Sequence, residues 1–250
     1  MITRQHADNV TTLILDRPEK RNSLNWQMIG DLAAGVTAAD ADPDCRCVVI
    51  KGRGDHFAAG RDLGEANAAG SLEETLRNDE LYTSLFETLR RMAKPSLAVV
   101  RGYAVAGGFT LAMGCDFVIA DRSARFGALE MRVGFPAAVN TAILGHLVGP
   151  RQALELLLSA ELFDAEHLYR IGLVNRLAET SEDLDNIEAA VVSGLVGLDP
   201  TAVKLTKETH RAMAEMPISE ALVMAKQLNA LMMASGRIDA AAEKFTKSKA

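Results

Sequence analysis

Short β-branched or wholly apolar runs alternate along the first half of the chain with stretches whose apolar residues recur every three or four positions. Val10 to Leu15 (VTTLIL) predicts a strand that ends at Asp16-Arg17-Pro18. Leu24, Met28, Leu32 and Val36 then follow helical spacing, with Asn22 or Ser23 as the cap and Asp42-Pro43 as the stop. Cys47 to Ile50 (CVVI) is apolar at every position, as expected of a strand covered on both faces, and Gly52 and Gly54 close it. The pattern repeats. Phe57 to Gly60 is a short apolar piece, and Leu72 to Met92 predicts a long helix with Leu76, Leu81, Leu85 and Leu89 along one side. Pro95 ends it before a second buried strand, Leu97 to Val100. A helix beginning near Gly107 leads into a third buried strand, Phe117 to Ala120.

Strands alternating with helices imply βαβ units and a largely parallel sheet with right-handed crossovers. From Pro150 onward the signals are almost entirely helical: Gln152 to Leu158, Ala165 to Ile171, Pro200 to Ala214 and Ile218 to Ala234. The reading is an α/β core over residues 1–196 followed by a helical subdomain over 197–250. Met213, Met216, Met224, Met232 and Met233 suit adaptable helix packing or a subunit interface there.

Composition narrows the classes. A chain of 250 residues with 48% hydrophobic and 24% charged residues holds one large core or a core plus an appendage, which argues against disorder. A formal charge of -6 argues against a nucleic-acid footprint. The basic run at Lys244, Lys247 and Lys249 reads as a solvated tail. Cys45, Cys47 and Cys115 form neither a disulfide framework nor a zinc pattern, so they read as reduced thiols and no metal is expected. On a strand, Cys45 and Cys47 would share a face. Met1 to Asp8 lacks an apolar signal core, and no run approaches the ~20 residues that span a bilayer. A cytoplasmic protein is expected.

Two segments carry candidate chemistry. In Phe57-Ala-Ala-Gly-Arg-Asp62, small residues and a glycine allow close backbone approach, and the N–H of Arg61 can point out of the sheet. In Gly102-Tyr-Ala-Val-Ala-Gly-Gly108, a glycine pair opens a helix whose first N–H groups lack internal partners and sit at the positive end of its dipole. Such groups can hold an oxygen carrying negative charge. Alone, either segment is more often close packing than a site. Neither is a triphosphate loop, because no Gly-Lys-Ser/Thr follows, and the dinucleotide spacing is absent.

Taken in order, seven segments resemble the crotonase (enoyl-CoA hydratase/isomerase) superfamily over almost the whole chain. They are Leu15 to Leu24 (LDRPEKRNSL), Phe57 to Leu63, Lys94-Pro95, Gly102 to Gly108, Leu111 to Asp116, Phe126-Gly-Ala-Leu-Glu130 and Ile171-Gly-Leu-Val-Asn175. The resemblance implies a spiral of stacked ββα units with a C-terminal helical part that builds trimers or dimers of trimers. It implies an acyl-CoA substrate whose thioester oxygen sits between the backbone N–H groups of Arg61 and Gly107. Because those donors are backbone, the Arg61 side chain is free to face solvent. It further implies that adenine lies against Ala58, Ala59 and Gly60, with Lys20, Arg21 and a neighbouring subunit's Phe245 and Lys247 near the CoA phosphates. Coenzyme A then enters as part of the substrate, and no separate cofactor is needed.

Family hydratases use two glutamates, one activating water and one protonating carbon. The second is present as Glu130, whereas Thr110 occupies the position of the first. Threonine is no general acid or base near neutral pH, although its hydroxyl can hold a water or a substrate group. A lone Glu130, partly buried, favours isomerisation, in which one carboxyl removes a proton and returns it two carbons along. The alternatives are hydration with Thr110 positioning water, and an acyl-CoA-binding protein without turnover. The loop after Glu130 (Met-Arg-Val-Gly-Phe-Pro136-Ala-Ala-Val-Asn140) is one residue shorter and less glycine-rich than the commonest family form, so acyl preference does not transfer. Asn140 and Thr141 are candidate polar contacts. Asp62, Asp116, His56 and His146 read as structural or loop residues.

Overall fold

The computed structural model describes residues 1–62, 64 and 71–236. By its contacts the chain forms two compact units, Met1–Pro200 and Thr201–Ala250. The strands are β1 (Ile2–Ala7), β2 (Val10–Leu15), β3 (Cys47–Gly52), β4 (Ser96–Val100), β5 (Tyr103–Val105), β6 (Phe117–Asp121), β7 (Arg125–Gly127), β8 (Phe163–Asp164) and β9 (Arg176–Ala178). The described helices of the first unit are α1 (Trp26–Ala41), α2 (Leu72–Arg91), α3 (Gly107–Met113), α4 (Ala138–Leu147), α5 (Pro150–Leu158), α6 (Ala165–Arg170) and α7 (Ser181–Val196).

A six-stranded sheet runs β1-β2-β3-β4-β6-β9, parallel except for the antiparallel β1–β2 hairpin at its edge. Its apolar runs are continuous because both faces are covered. Val48, Ile50, Ala98, Val100, Val118 and Ala120 face the core that contains α1, α2 and α3. The alternate residues Cys47, Val49, Leu97, Val99 and Ile119 pack beneath Leu184, Ile187 and Val191 of α7.

A second row of short strands lies beside this sheet. Ala58 bridges Ala104 of β5 in parallel, and β5 in turn pairs in parallel with β7. Each main strand is therefore followed by a short second strand and then a helix: β3, Ala58, α2; β4, β5, α3; β6, β7, α4. This is the expected spiral of ββα turns. Its consequence for the site is that loops 57–62 and 103–107 run side by side.

Several expectations change. The cap of α1 is Asn25, whose side chain accepts from the Met28 N–H at 2.9 Å. Asn22 instead lies fully buried in the first loop. Its Oδ1 accepts from the Arg17 N–H, and its Nδ2 donates to the carbonyls of Arg53 and His56. The buried stripe of α2 is Tyr82, Leu85, Phe86 and Leu89, while Leu76 is exposed. Cys45 precedes β3 and packs on the α1 side, whereas Cys47 packs under α7, so the two do not share a face. The polar N-terminus forms the edge strand β1. The segment beyond Pro150 also contains the helix α7 and the strands β8 and β9, and the two strands, at two and three residues, are too short to show a period.

In the second unit the described helices are α8 (Pro200–Met213) and α9 (Ile218–Ala234). Ile218, Leu222, Val223, Leu231 and Met233 on and near α9 are exposed in the single chain. Among the described residues, no single helix is long and apolar enough to cross a membrane.

Candidate active site

The site begins where the segment 58–62 threads between two neighbours. Ala58 donates to the Tyr103 carbonyl and accepts from the Val105 N–H, on the β5 side. Ala59 donates to the Arg21 carbonyl, the Gly60 carbonyl accepts from Leu24, and Asp62 donates back to Leu24. In such a parallel bridge the central residue's own N–H points away from the partner. Arg61 is that residue opposite Leu24, so its N–H is directed toward the other neighbour. Gly60 takes φ +95°, which suits glycine, and a methyl there would lie 2.9 Å from Ala106 Cβ and 3.5 Å from the Gly107 nitrogen.

On the opposing loop, Ala106 caps α3 at φ 48°, ψ −119°, a conformation that costs a residue with a Cβ about 1–3 kcal/mol. This turn presents the Gly107 N–H at the first helical position, where no internal acceptor exists. A methyl built on Gly107 would lie 3.4 Å from the Arg61 nitrogen. Among the described residues, neither the Arg61 nor the Gly107 N–H donates to another loop or strand carbonyl. Two amides with no carbonyl partner among the described residues thus lie close together. Gly108 lets the loops approach, since a methyl there would fall 2.3 Å from the Ala58 carbonyl oxygen.

The Arg61 side chain is not free in solvent, contrary to expectation. Its guanidinium stacks 4.2 Å over the Trp26 ring and pairs with Asp79 at 2.8 Å. Both contacts hold the backbone that bears the amide.

Glu130 lies in a 3-10 turn, Leu129–Val133, directly after β7. Its Oε1 accepts from Asn140 Nδ2 at 2.8 Å, and the same nitrogen donates to the Ala106 carbonyl at 3.2 Å. Both neighbours are acceptors, so this amide orientation is chemically dictated. Glu130 Oε2 and Asn140 Oδ1 are buried without a partner among the described residues. Asn140 is only 1% exposed, and its amide nitrogen is committed to the protein. Thr110 is buried as well, and its hydroxyl donates to the Ala106 carbonyl at 3.1 Å. Tyr82 completes the cluster, its hydroxyl 3.3 Å from the Gly107 carbonyl. Burial pushes this phenol up to about 12; the Thr110 hydrogen bond and the Arg61 charge oppose the rise, while the Glu130 charge adds to it. Tyr82 therefore stays a neutral donor at any physiological pH.

The arrangement is two main-chain donors on one side and an oriented carboxyl within two hydrogen-bond lengths of the peptide that supplies one of them. The enoyl-CoA hydratase/isomerase family model matches residues 5–248. The chain belongs to the enoyl-CoA hydratase/isomerase family. The crotonyl-CoA hydratase of Syntrophomonas wolfei subsp. wolfei is 32% identical, over 88% of this chain and 85% of that protein. The short-chain-enoyl-CoA hydratase of Clostridium acetobutylicum is 33% identical, over 85% and 82%. The crystal structure of an enoyl-CoA hydratase from Mycobacterium smegmatis superposes with a TM-score of 0.88 at 30% identity, covering 93% of this chain and 90% of that one.

Within this family enzyme the remaining expected positions fall as follows. Lys20 and Arg21 are exposed on the first loop, next to the 58–60 segment through the Ala59–Arg21 bond, and the Arg21 guanidinium lies 5.6 Å over the Tyr103 ring. Phe245 and Lys247 lie outside the described residues. Thr141 is exposed and bonds back to the Ala137 carbonyl, and His146 is exposed on α4. His56 stacks on Tyr103 and accepts from its N–H at 3.2 Å, a loop-holding role. Asp62 pairs with Arg17, and Asp116 accepts from Ser96. Among the described residues, no cluster of histidine, cysteine, aspartate or glutamate could hold a metal ion. Tyr82, Trp26 and the Ala106 turn were not apparent from sequence. Tyr82 and Trp26 sit on amphipathic helices where aromatic residues read as core, and nothing in an alanine announces a positive φ.

Proposed function

We propose that the chain catalyses double-bond isomerisation of an enoyl-CoA thioester. The Arg61 and Gly107 amides hold the thioester oxygen as the enolate forms, and Glu130 carries the proton between carbons. Preorganised donors aimed at developing charge contribute about 10²–10³ each in rate. The observation that carries the reading is Thr110: the position of a first glutamate holds a buried hydroxyl already donating to the Ala106 carbonyl. That leaves Glu130, with its Oε2 unpartnered, as the acid–base group. Lys20, Arg21 and the Ala58–Gly60 backbone receive the CoA moiety. The exposed apolar residues of α9 support assembly into a trimer or dimer of trimers, and the buried cysteine thiols suit a cytoplasmic location.

Hydration is the second reading, favoured by relatives named as hydratases. In it, Thr110 helps position water. The two separate in ¹⁸O-labelled water with a 3-enoyl-CoA and a 2-enoyl-CoA. Isomerisation interconverts them without label, whereas hydration places label in a 3-hydroxyacyl product. Glu130→Gln should lower kcat for either reaction by about 10²–10⁴. Undiminished turnover would remove Glu130 as the base, and tight acyl-CoA binding with no turnover of either substrate would mark a binding protein.

A further inference from the structure

Among the described residues, the Asn140 side chain bonds to both halves of the proposed chemistry. Its Nδ2 donates to Glu130 Oε1 at 2.8 Å and to the Ala106 carbonyl at 3.2 Å. That carbonyl belongs to the same peptide unit as the Gly107 N–H. It accepts from three donors: Asn140 Nδ2, the Thr110 N–H at 3.1 Å and the Thr110 hydroxyl at 3.1 Å. Hydrogen bonds to a peptide oxygen polarise the group and make its N–H a stronger donor, and such chains strengthen one another where water is excluded. Asn140 is almost completely buried, whereas its neighbour Thr141 on α4 is exposed.

We infer that Asn140 is a positioning residue that couples the oxyanion hole to the base: it polarises the Ala106–Gly107 peptide and fixes the Glu130 carboxyl by Oε1, so that Oε2 takes up and returns the proton. The inference rests on the acyl-CoA reading of the site. It replaces the expectation of Asn140 as a substrate contact with a role exerted through two other groups. Oε2 is the carboxyl oxygen left without a partner among the described residues, as a proton carrier requires. Holding Oε1 keeps the carboxyl from rotating between removal and return of the proton.

The test uses the full-length protein and a para-dimethylamino-cinnamoyl-CoA, whose absorbance moves to the red when its thioester carbonyl is polarised. The unsubstituted protein should shift the bound probe. Asn140→Leu, similar in size and without a donor, should bind it with a clearly smaller shift. Its kcat should be roughly 10- to 100-fold lower with KM little changed, less than the full loss of an oxyanion donor would cost. Asn140→Asp keeps the size. Protonated, its carboxyl can donate to one acceptor; ionised, it faces two, so kcat should fall with rising pH along an ionisation absent from the parent. A folded Leu variant with an unchanged probe shift, or an Asp variant with the parental pH profile, would overturn the inference. If the Leu variant does not fold, the Asp profile decides. No shift with the unsubstituted protein would overturn the acyl-CoA reading itself, and the inference with it.

Discussion

At the residue scale, the site is made of main chain brought close, and small side chains are what permit it. Gly108→Ala should destabilise the fold by about 1–3 kcal/mol or more, because the added methyl meets the Ala58 carbonyl rather than a movable side chain. A lowered urea midpoint with an unchanged m-value would show it. Tyr82 makes a separate prediction. Its phenol is raised from 10.0 to about 12 on folding, so the stability linked to it is full below pH 10 and is lost as pH rises through 12. Ultraviolet titration should find one tyrosine ionising well after the others, and Tyr82→Phe should remove that late step. These residues divide sharply in how legible they are. Glu130, Arg61 and Gly107 are marked by motif, since their neighbours in sequence are constrained by the turn each occupies. Tyr82 comes from a helix distant in sequence, and its partners are set by packing rather than by any local pattern.

At the element scale, alternation of apolar runs and helical spacing identified β2, β3, β4, β6, α1 and α2, because each is long enough to show its period. The short strands β5, β7, β8 and β9 escaped, since two or three residues carry no period and their pairing comes entirely from neighbours. Yet the turns around β5 and β7 build the site. The first loop illustrates the same point. Asn22 looks like a helix cap by residue type, but the loop uses it as an internal tie among Arg17, Arg53 and His56. Removing it leaves buried backbone groups unpaired at about 1–3 kcal/mol each. Asn22→Ala should therefore cost more than Asn25→Ala, whose loss as a cap is about 1 kcal/mol. Parallel thermal melts of the two variants would rank them, and an equal or smaller loss at Asn22 would contradict the tie.

At the scale of the whole molecule, carboxylates held by cations set the acid limit. The Arg17 guanidinium, helped by the Gly64 N–H, holds Asp62 below the ordinary carboxylate range, and Arg53 and Thr3 do the same for Asp16. A carboxyl whose folded value is depressed stabilises the fold above its unfolded value, here 3.8, and loses that contribution as pH falls through the lower folded value. Stability should therefore decline below about pH 4. Asp62→Asn should be less stable than the parent at neutral pH and converge with it in acid, as read from melting temperatures at stepped pH. A constant difference at every pH would exclude Asp62 from the acid limit.

The two-row spiral has a bearing on how such a protein can change. The gap proposed to receive the thioester oxygen lies between chain segments placed by strand-to-strand pairing, whose spacing is about 4.8 Å whatever the side chains are. Side-chain exchange at position 130 can therefore alter which proton moves, and where, without displacing the main-chain segments, while positions 110 and 140 tune the peptide they bond. New reactions on this scaffold would come by rewriting the groups that face a fixed cradle.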